Sequence, residues 1–361
     1  RRRARATRVA LAEDNVGLKS LFTLRQGDTR RKFIDLLGGT KNSEKAVNLG
    51  LEWLAKHQEE DGSWDLKKHG GGESSRTAGT GLGLLPFLAA GYTHNKPGQY
   101  KKNVAAAVRW LTEHQKENGD LLGPGDGQHL YSHGIAAIAL CEAYGMSRDE
   151  ELKAPARKSL DFIVSAQHKA SGGWRYTPNT SADTSVVGWQ MMALKSGEMA
   201  GLSVAPPVYA NVDRWLKKVE GKQGVSGTFG YVNRSASPAM TAEGLLSLQF
   251  MGTDRNSPRM RGGADYLLTQ LPERSQKRTS YYWYYGTQVM YHMQGKYWKA
   301  WNESLRDMLV ETQITTGEHA GTWHPRDQWE SRGGRVYATS LKLLMLEVYY
   351  RHLPLYEQLE E

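Results

Sequence analysis

AVNLGLEWLAKHQEEDGSW, residues 46–64, holds the layout that decides the fold. Val47, Leu51 and Leu54 recur at helical spacing, with Asn48, Glu52 and Lys56 among the polar residues on the other side. That pattern predicts an amphipathic helix lying on a core. The helix ends at Gln58, and after three intervening residues comes Gly62, then Trp64. A Gln can bond free carbonyls at a helix end, and Gly permits the left-handed turn. Trp then packs over the join with its indole N–H available to the backbone.

The layout recurs. KKNVAAAVRWLTEHQ (101–115) and APARKSLDFIVSAQ (154–167) are copies, each ending in Gln. VYANVDRWLKKV (208–219), PRMRGGADYLLTQ (258–270) and WKAWNESLRDMLVETQ (298–313) are weaker ones. The turn signal returns as QHKASGGW (167–174) and, stretched, as QITTGEHAGTW (313–323), while QKENGDLL (115–122) keeps Gln and Gly without Trp. Between these helices lie six segments that are apolar nearly all round, starting near residues 77, 131, 183, 237, 279 and 333. Four of the five steps are 52–54 residues and one is 42. A helix apolar on every side must be buried on every side. Six outer helices alternating with six such inner helices predict an all-α fold, a single closed α/α toroid. The expected boundaries are a basic lead-in or linker over 1–40 and the toroid over 41–361.

Composition narrows the classes. Net charge is +9, densest in RRRARATR at the start, which could lie on anionic lipid; no groove-reading motif accompanies it, so nucleic acid is not expected. No apolar run approaches the roughly 20 residues that span a bilayer. The chain starts at Arg, so an upstream segment is expected, and membrane association through it is left open. The lone Cys141 excludes a disulfide framework and a multi-Cys zinc site. KHGGGESSRTAGTG (68–81) lacks the Gly-Lys-Ser/Thr ending of a phosphate loop and is expected as a flexible loop over the toroid opening. No cofactor is expected.

The Gln–Gly–Trp signature on paired helices resembles the repeat of the squalene–hopene and oxidosqualene cyclases and of protein prenyltransferase β-subunits. The resemblance covers nearly the whole chain as one toroid, where the triterpene cyclases have two. DTSVVGWQ, YSHGIAAIALCEAYG and YYWYYGTQVMYHM are similar to cyclase-like bacterial proteins of the planctomycete type. In class II cyclases an Asp-x-Asp-Asp-Thr motif opens an inner helix, and its middle Asp protonates the alkene or epoxide. Thr180-Ser181-Ala182-Asp183-Thr184 keeps only the last two positions, and Ala182 stands where the acid would be. The prenyltransferase zinc set asks for an Asp close before the Cys, and Cys141 has none two residues before it.

Candidate residues gather at the inner-helix starts, which in such toroids point into the central cavity. Asp183 fits an N-cap and also a catalytic acid; with Glu243 it would form a carboxylate pair whose pKa values divide acid and base work. His133 joins them as the catalytic set. His129 and His133, four apart, could hold a metal with Asp126, but the GPGDG run reads as loop, and no metal is expected. Tyr131, Thr184, Trp189, Tyr282, Trp283, Tyr284 and Tyr337 are the expected lining, with Arg76 and Arg335 as anion partners. The chain holds 18 Tyr and 11 Trp against 6 Phe, a balance that favours a polar-aromatic cavity. The expected ligand is an apolar or isoprenoid molecule, handled without class II cyclisation. A polysaccharide lyase or glycoside hydrolase acting on a saccharide, and a non-catalytic scaffold, are the alternatives.

One outcome follows from Ala182. Incubated with squalene, the purified protein should form no hopene above a boiled control by gas chromatography–mass spectrometry. Product that disappears in Asp183→Asn would overturn the alignment.

Overall fold

The computed structural model describes residues 22–25, 27–123, 126, 129–221, 226–274 and 279–355. After α1 (Gly27–Leu37) come the outer helix α2 (Lys41–Lys56) and the inner helix α3 (Arg76–Ala89). The next pairs are α4 (Lys101–Glu113) with α5 (His129–Ser147), and α6 (Glu150–Ala166) with α7 (Thr184–Met199). Then follow α8 (Pro207–Val219) with α9 (Pro238–Phe250), and α10 (Pro258–Leu268) with α11 (Ser280–Met293). The last pair is α12 (Gly295–Thr312) with α13 (Gln328–Leu346), and α14 (Val348–Arg351) ends the ring. Each inner helix packs on the next, and α13 packs back on α3 while α12 meets α2. The all-α toroid is therefore closed, as the repeat predicts.

The two helix sets differ as their sequences require. In α3 every residue from Thr77 to Ala89 is buried, whereas α2 buries a stripe that includes Val47, Leu51 and Leu54. Capping sets the inner helix starts: Ser75, Asp183, Ser237 and Thr279 each accept an N–H of the first turn, satisfying a group the helix cannot.

The turn signal does its work across repeats rather than at its own helix end. Gln58 Nε2 donates to Gly62 O (2.8 Å) and to Asn103 O on the next outer helix (2.9 Å). Gln115 bonds Gly119 O and Pro155 O, and Gln167 bonds Gly172 O and Val208 O, in the same way. Gln313 bonds Gly321 O at 3.0 Å and Ala46 O at 2.8 Å, joining the last turn to the first outer helix. The Trp supplies what Gln was expected to. Trp64, Trp174 and Trp323 Nε1 donate to Leu54, Ile163 and Leu309 O, in or next to the last turn of the preceding outer helix. The fourth repeat uses a variant unseen in the sequence: Glu220 accepts the Gly227 N–H (2.9 Å) and pairs with Arg259 of α10 (2.9 Å).

Other expectations change. The glycine-rich stretch is no free flap. Gly72 and Glu73 N–H donate to Ser331 and Arg332 O, and Gly334, at φ +64°, bends α13 around Gly70 and Gly71. The inner part of α13 thus starts after a kink. Of residues 1–40, the first 21, with the basic cluster, lie outside the described residues. Phe22, Leu24 and Arg25 are buried in the body. Arg25 donates to Glu142 Oε2 (2.7 Å) and Arg351 to Glu142 Oε1 (2.9 Å), so chain start, second inner helix and chain end share one buried ion network. Among the described residues no helix is long and apolar enough to cross a membrane.

The turn glycines supply a stability test. A Cβ on Gly119 (φ +89°) would lie 2.1 Å from Lys158 O, whereas one on Gly252 (φ +80°) meets nothing within 4 Å. Gly252→Ala should cost about 1 kcal/mol from left-handed strain alone. Gly119→Ala should cost about 2–4 kcal/mol, because strain and clash add. Urea unfolding of both variants separates the two contributions.

Candidate active site

Glu243 is the least satisfied acid of the ring's interior near the inner-helix starts. It lies in the second turn of α9, fully buried, and neither carboxyl oxygen has a hydrogen-bond partner among the described residues. Its neighbour across the helix interface is Gly188 of α7. A Cβ there would stand 2.4 Å from Glu243 Oε2 and 3.1 Å from the Tyr285 hydroxyl. The missing side chain is what lets a carboxyl and a phenol meet over that helix. The Tyr285 hydroxyl is likewise buried without a partner. Tyr281, one turn earlier, packs edge-on against Tyr285 with centroids 5.2 Å apart, and its hydroxyl donates to Ser185 O at 3.4 Å.

A second acid stands beside this group. Asp183 caps α7, its Oδ1 accepting the Val186 N–H (2.9 Å) and the Ser185 hydroxyl (2.7 Å). Its Oδ2 is buried without a hydrogen bond, 3.7 Å from Arg175 Nε. Because Ser185 spends its proton on Asp183, the short Tyr131–Ser185 hydrogen bond must be donated by Tyr131. A donor chain therefore runs Tyr131, Ser185, Asp183. Outside it, Tyr176 stacks on Tyr131 (5.9 Å) and shares a hydrogen bond with Tyr231.

The electrostatics follow from burial. Loss of solvent pushes the Glu243 carboxyl well above the carboxylate range, the Asp183 charge adds to the shift, and the nearby Tyr281 hydroxyl opposes it. Burial also raises Asp183, against the Val186 N–H, Ser185, Tyr231 and Arg175. The phenols of Tyr281, Tyr285, Tyr131 and Tyr337 are pushed up by burial and, less, by nearby acids including Glu243. The arrangement is a carboxyl on which burial disfavours charge, among phenols that burial keeps protonated, beside a second carboxyl.

Several expected residues are elsewhere. His133 is on the back of α5: Nδ1 accepts the Leu121 N–H (3.1 Å), so Nε2–H donates to Ser159 O (3.0 Å), and no nitrogen is left for catalysis. His129 is held by Asp120 and Asp126 accepts the Thr77 N–H, so that trio does not converge. Thr184 donates to Gly230 O (2.7 Å), tying the third repeat to the fourth. Arg76 is committed to Asp61 (2.6 Å) and Ser63, and Arg335 to Thr322 and His324. Tyr282 points outward to Gln270 O (2.9 Å), and Tyr284 receives a bond from buried Arg351 (3.2 Å). Trp189 is core, stacked on Tyr284 (5.8 Å) and edge-on to Tyr285 (5.7 Å), next to the acid group. Trp283 belongs to a different pocket.

Of the aromatic run Tyr281–Tyr285, the expected lining took 282–284, and the structure puts Tyr281 and Tyr285 beside the acid instead; Ser185 and Gly188 were not foreseen. The phase of α11 explains the change. Gly286 is the outward residue, because Trp301 of α12 sits where its Cβ would be (2.4 Å). Tyr282, four earlier, then faces out, and 281, 284 and 285 face in.

Comparison with known proteins agrees with the ring and leaves the chemistry open. No family model matches the chain. A squalene–hopene cyclase of Bradyrhizobium diazoefficiens is 23% identical over 215 residues, covering 52% of this chain and 30% of that protein. The chain thus matches less than a third of that relative's length. Among solved structures, a variant of the type II terpene cyclase MstE from Scytonema, in complex with merosterolic acid A, is 14% identical. It overlays with a TM-score of 0.56, covering 86% of this chain and 97% of that one. Cellobiose 2-epimerase from Bacillus thermoamylovorans overlays with a TM-score of 0.62 at 14% identity, covering 88% and 99%. The fold is a terpenoid-cyclase-like α/α toroid, one that carbohydrate-active proteins also use.

Proposed function

We propose that the chain binds an isoprenoid or similarly apolar small molecule at the Glu243 group, and that Glu243 faces it as a neutral carboxylic acid. The observation that carries this is the buried carboxyl with both oxygens unpartnered, among aromatic residues whose hydroxyls are also only partly satisfied. A buried polar group left unpaired by its own protein costs of order 1–3 kcal/mol, and a ligand that bonds it recovers that cost. Faces of Trp189, Tyr281 and Tyr285 supply apolar area and can hold a positive charge.

The same electrostatics limit the chemistry. An acid whose pKa is raised is a weaker donor, so Glu243 cannot replace the strong acid that protonates an unactivated alkene. With Ala182 at the expected donor position, cyclisation of the class II kind has no donor on this group. Glu243 suits proton exchange with an activated or oxygen-bearing site on the ligand, with Asp183 as its charged counterpart. A second reading, a saccharide, is favoured by the hydroxyls of Tyr131, Tyr281 and Tyr285 around two carboxyls.

Mass spectrometry of organic extracts of the purified protein should find a lipid-like molecule that Glu243→Gln and Tyr281→Phe reduce several-fold. An empty extract together with glycan-array binding lost in the same variants would favour the saccharide. Stability supplies an independent check. The folded pKa of Glu243 is raised, so its contribution is most favourable below the unfolded value near 4.5 and is lost as pH rises above it. Glu243→Gln should therefore melt a few degrees higher than the parent at pH 8 and nearly equal to it at pH 4. Equal melting temperatures at both would mean the carboxyl is not held neutral by the fold.

A further inference from the structure

A pocket of about 470 Å³ opens between α11, α12 and the start of α13. That volume is in the range of small-molecule sites. None of Glu243, Gly188, Tyr281 or Tyr285 lines it. Burial raises the Tyr337 phenol, and the charges of Asp327, Glu330 and Glu243 add to the shift.

Its lining is mixed in chemistry. Met308 and Leu309 of α12, with Trp323, supply apolar wall. The two acids on the lining are already engaged. Glu330 pairs with buried Lys342 through Oε1 and accepts the Arg326 N–H through Oε2 (2.6 Å). Asp327 Oδ1 accepts the N–H groups of Trp329 (2.7 Å) and Glu330 (2.9 Å), and Oδ2 accepts that of Ser280 (3.1 Å).

Two donors are not engaged. Trp283 Nε1 is buried without an acceptor. Arg326 is an exposed residue of the lining, and among the described residues no carboxylate is paired with it. Ser280 is 1% exposed, and its hydroxyl stands beside the Glu330 carboxylate. Buried donors require acceptors, and an unpaired guanidinium favours a charged one. Two unpaired donors and apolar wall on one lining describe the complement of an amphiphile.

We infer that this pocket binds a single-chain amphiphile with an anionic head, a phosphate or carboxylate, the head at Arg326 and Trp283 and the chain along Met308, Leu309 and Trp323. The site is independent of the Glu243 reading and stands if that reading fails.

The test is calorimetric titration with decyl phosphate below its micelle concentration, against decanol and inorganic phosphate. Decyl phosphate should bind at one molecule per chain, roughly ten-fold or more tighter than either half alone. Arg326→Ala, at an exposed position that leaves the fold intact, should weaken it about ten-fold, and Trp283→Phe, which keeps the ring and removes the donor, a few-fold. Added salt should weaken the parent and leave Arg326→Ala nearly unchanged. No saturable binding, or equal affinity for decanol, would overturn the inference. So would affinity that survives Arg326→Ala and is lost in Glu243→Gln, because the amphiphile would then occupy the other site.

Discussion

The carboxamide of a glutamine, bonded to the glycine of its own turn and to a carbonyl of the next outer helix, is the contact on which the ring depends. Between Gln313 and Ala46 it joins residues 267 positions apart, the last outer helix to the first. The turn glycine is held there by geometry, with the next helix's backbone where a side chain would be. The glutamine's partner is main chain, so outer-helix side chains can vary while the spacing between repeats does not. Closure then lets six helices be apolar on every face without leaving an edge exposed.

Closure also decides where charge can go. At one end Glu142 is bonded by Arg25 and Arg351, and nearby Glu347, although buried without a hydrogen bond, has Arg30 and Arg351 to offset its charge. Breaking such a pair would strand a buried charge, so that end is a fastening. At the other end Glu243 has phenols and a second carboxyl as neighbours, and nothing positive to offset it. Burial therefore disfavours charge on this acid, and that is the ground on which a site is proposed there.

The likeness to terpene cyclases and to a cellobiose epimerase fits this division. The ring is a shared solution to burying inner helices, and the chemistry rests on the few side chains at their starts. Here those include alanine at 182, the acid on the neighbouring inner helix at 243, and a tyrosine cluster between them.

The ring could be read from the chain because its causes are local and periodic. All-round apolar segments cannot be surface helices, and Gln58, Gly62 and Trp64 have counterparts after other outer helices, with Gly and Trp two apart each time both are present. Asp183 and Glu243 were also legible as acids at helix starts. Their surroundings were not. Tyr281 and Tyr285 face inward, and Tyr282 outward, because Trp301 fills the space beside Gly286, a contact made by a different helix. His133 is spent on Leu121 and Ser159, and Arg76 on Asp61, through partners that no spacing reveals. The sequence by itself determined the helices, their order and the closed ring, since periodicity and turn chemistry are properties of neighbouring residues. Only the tertiary structure decided which acid is left without a partner, because hydrogen-bond satisfaction depends on every helix that packs around it.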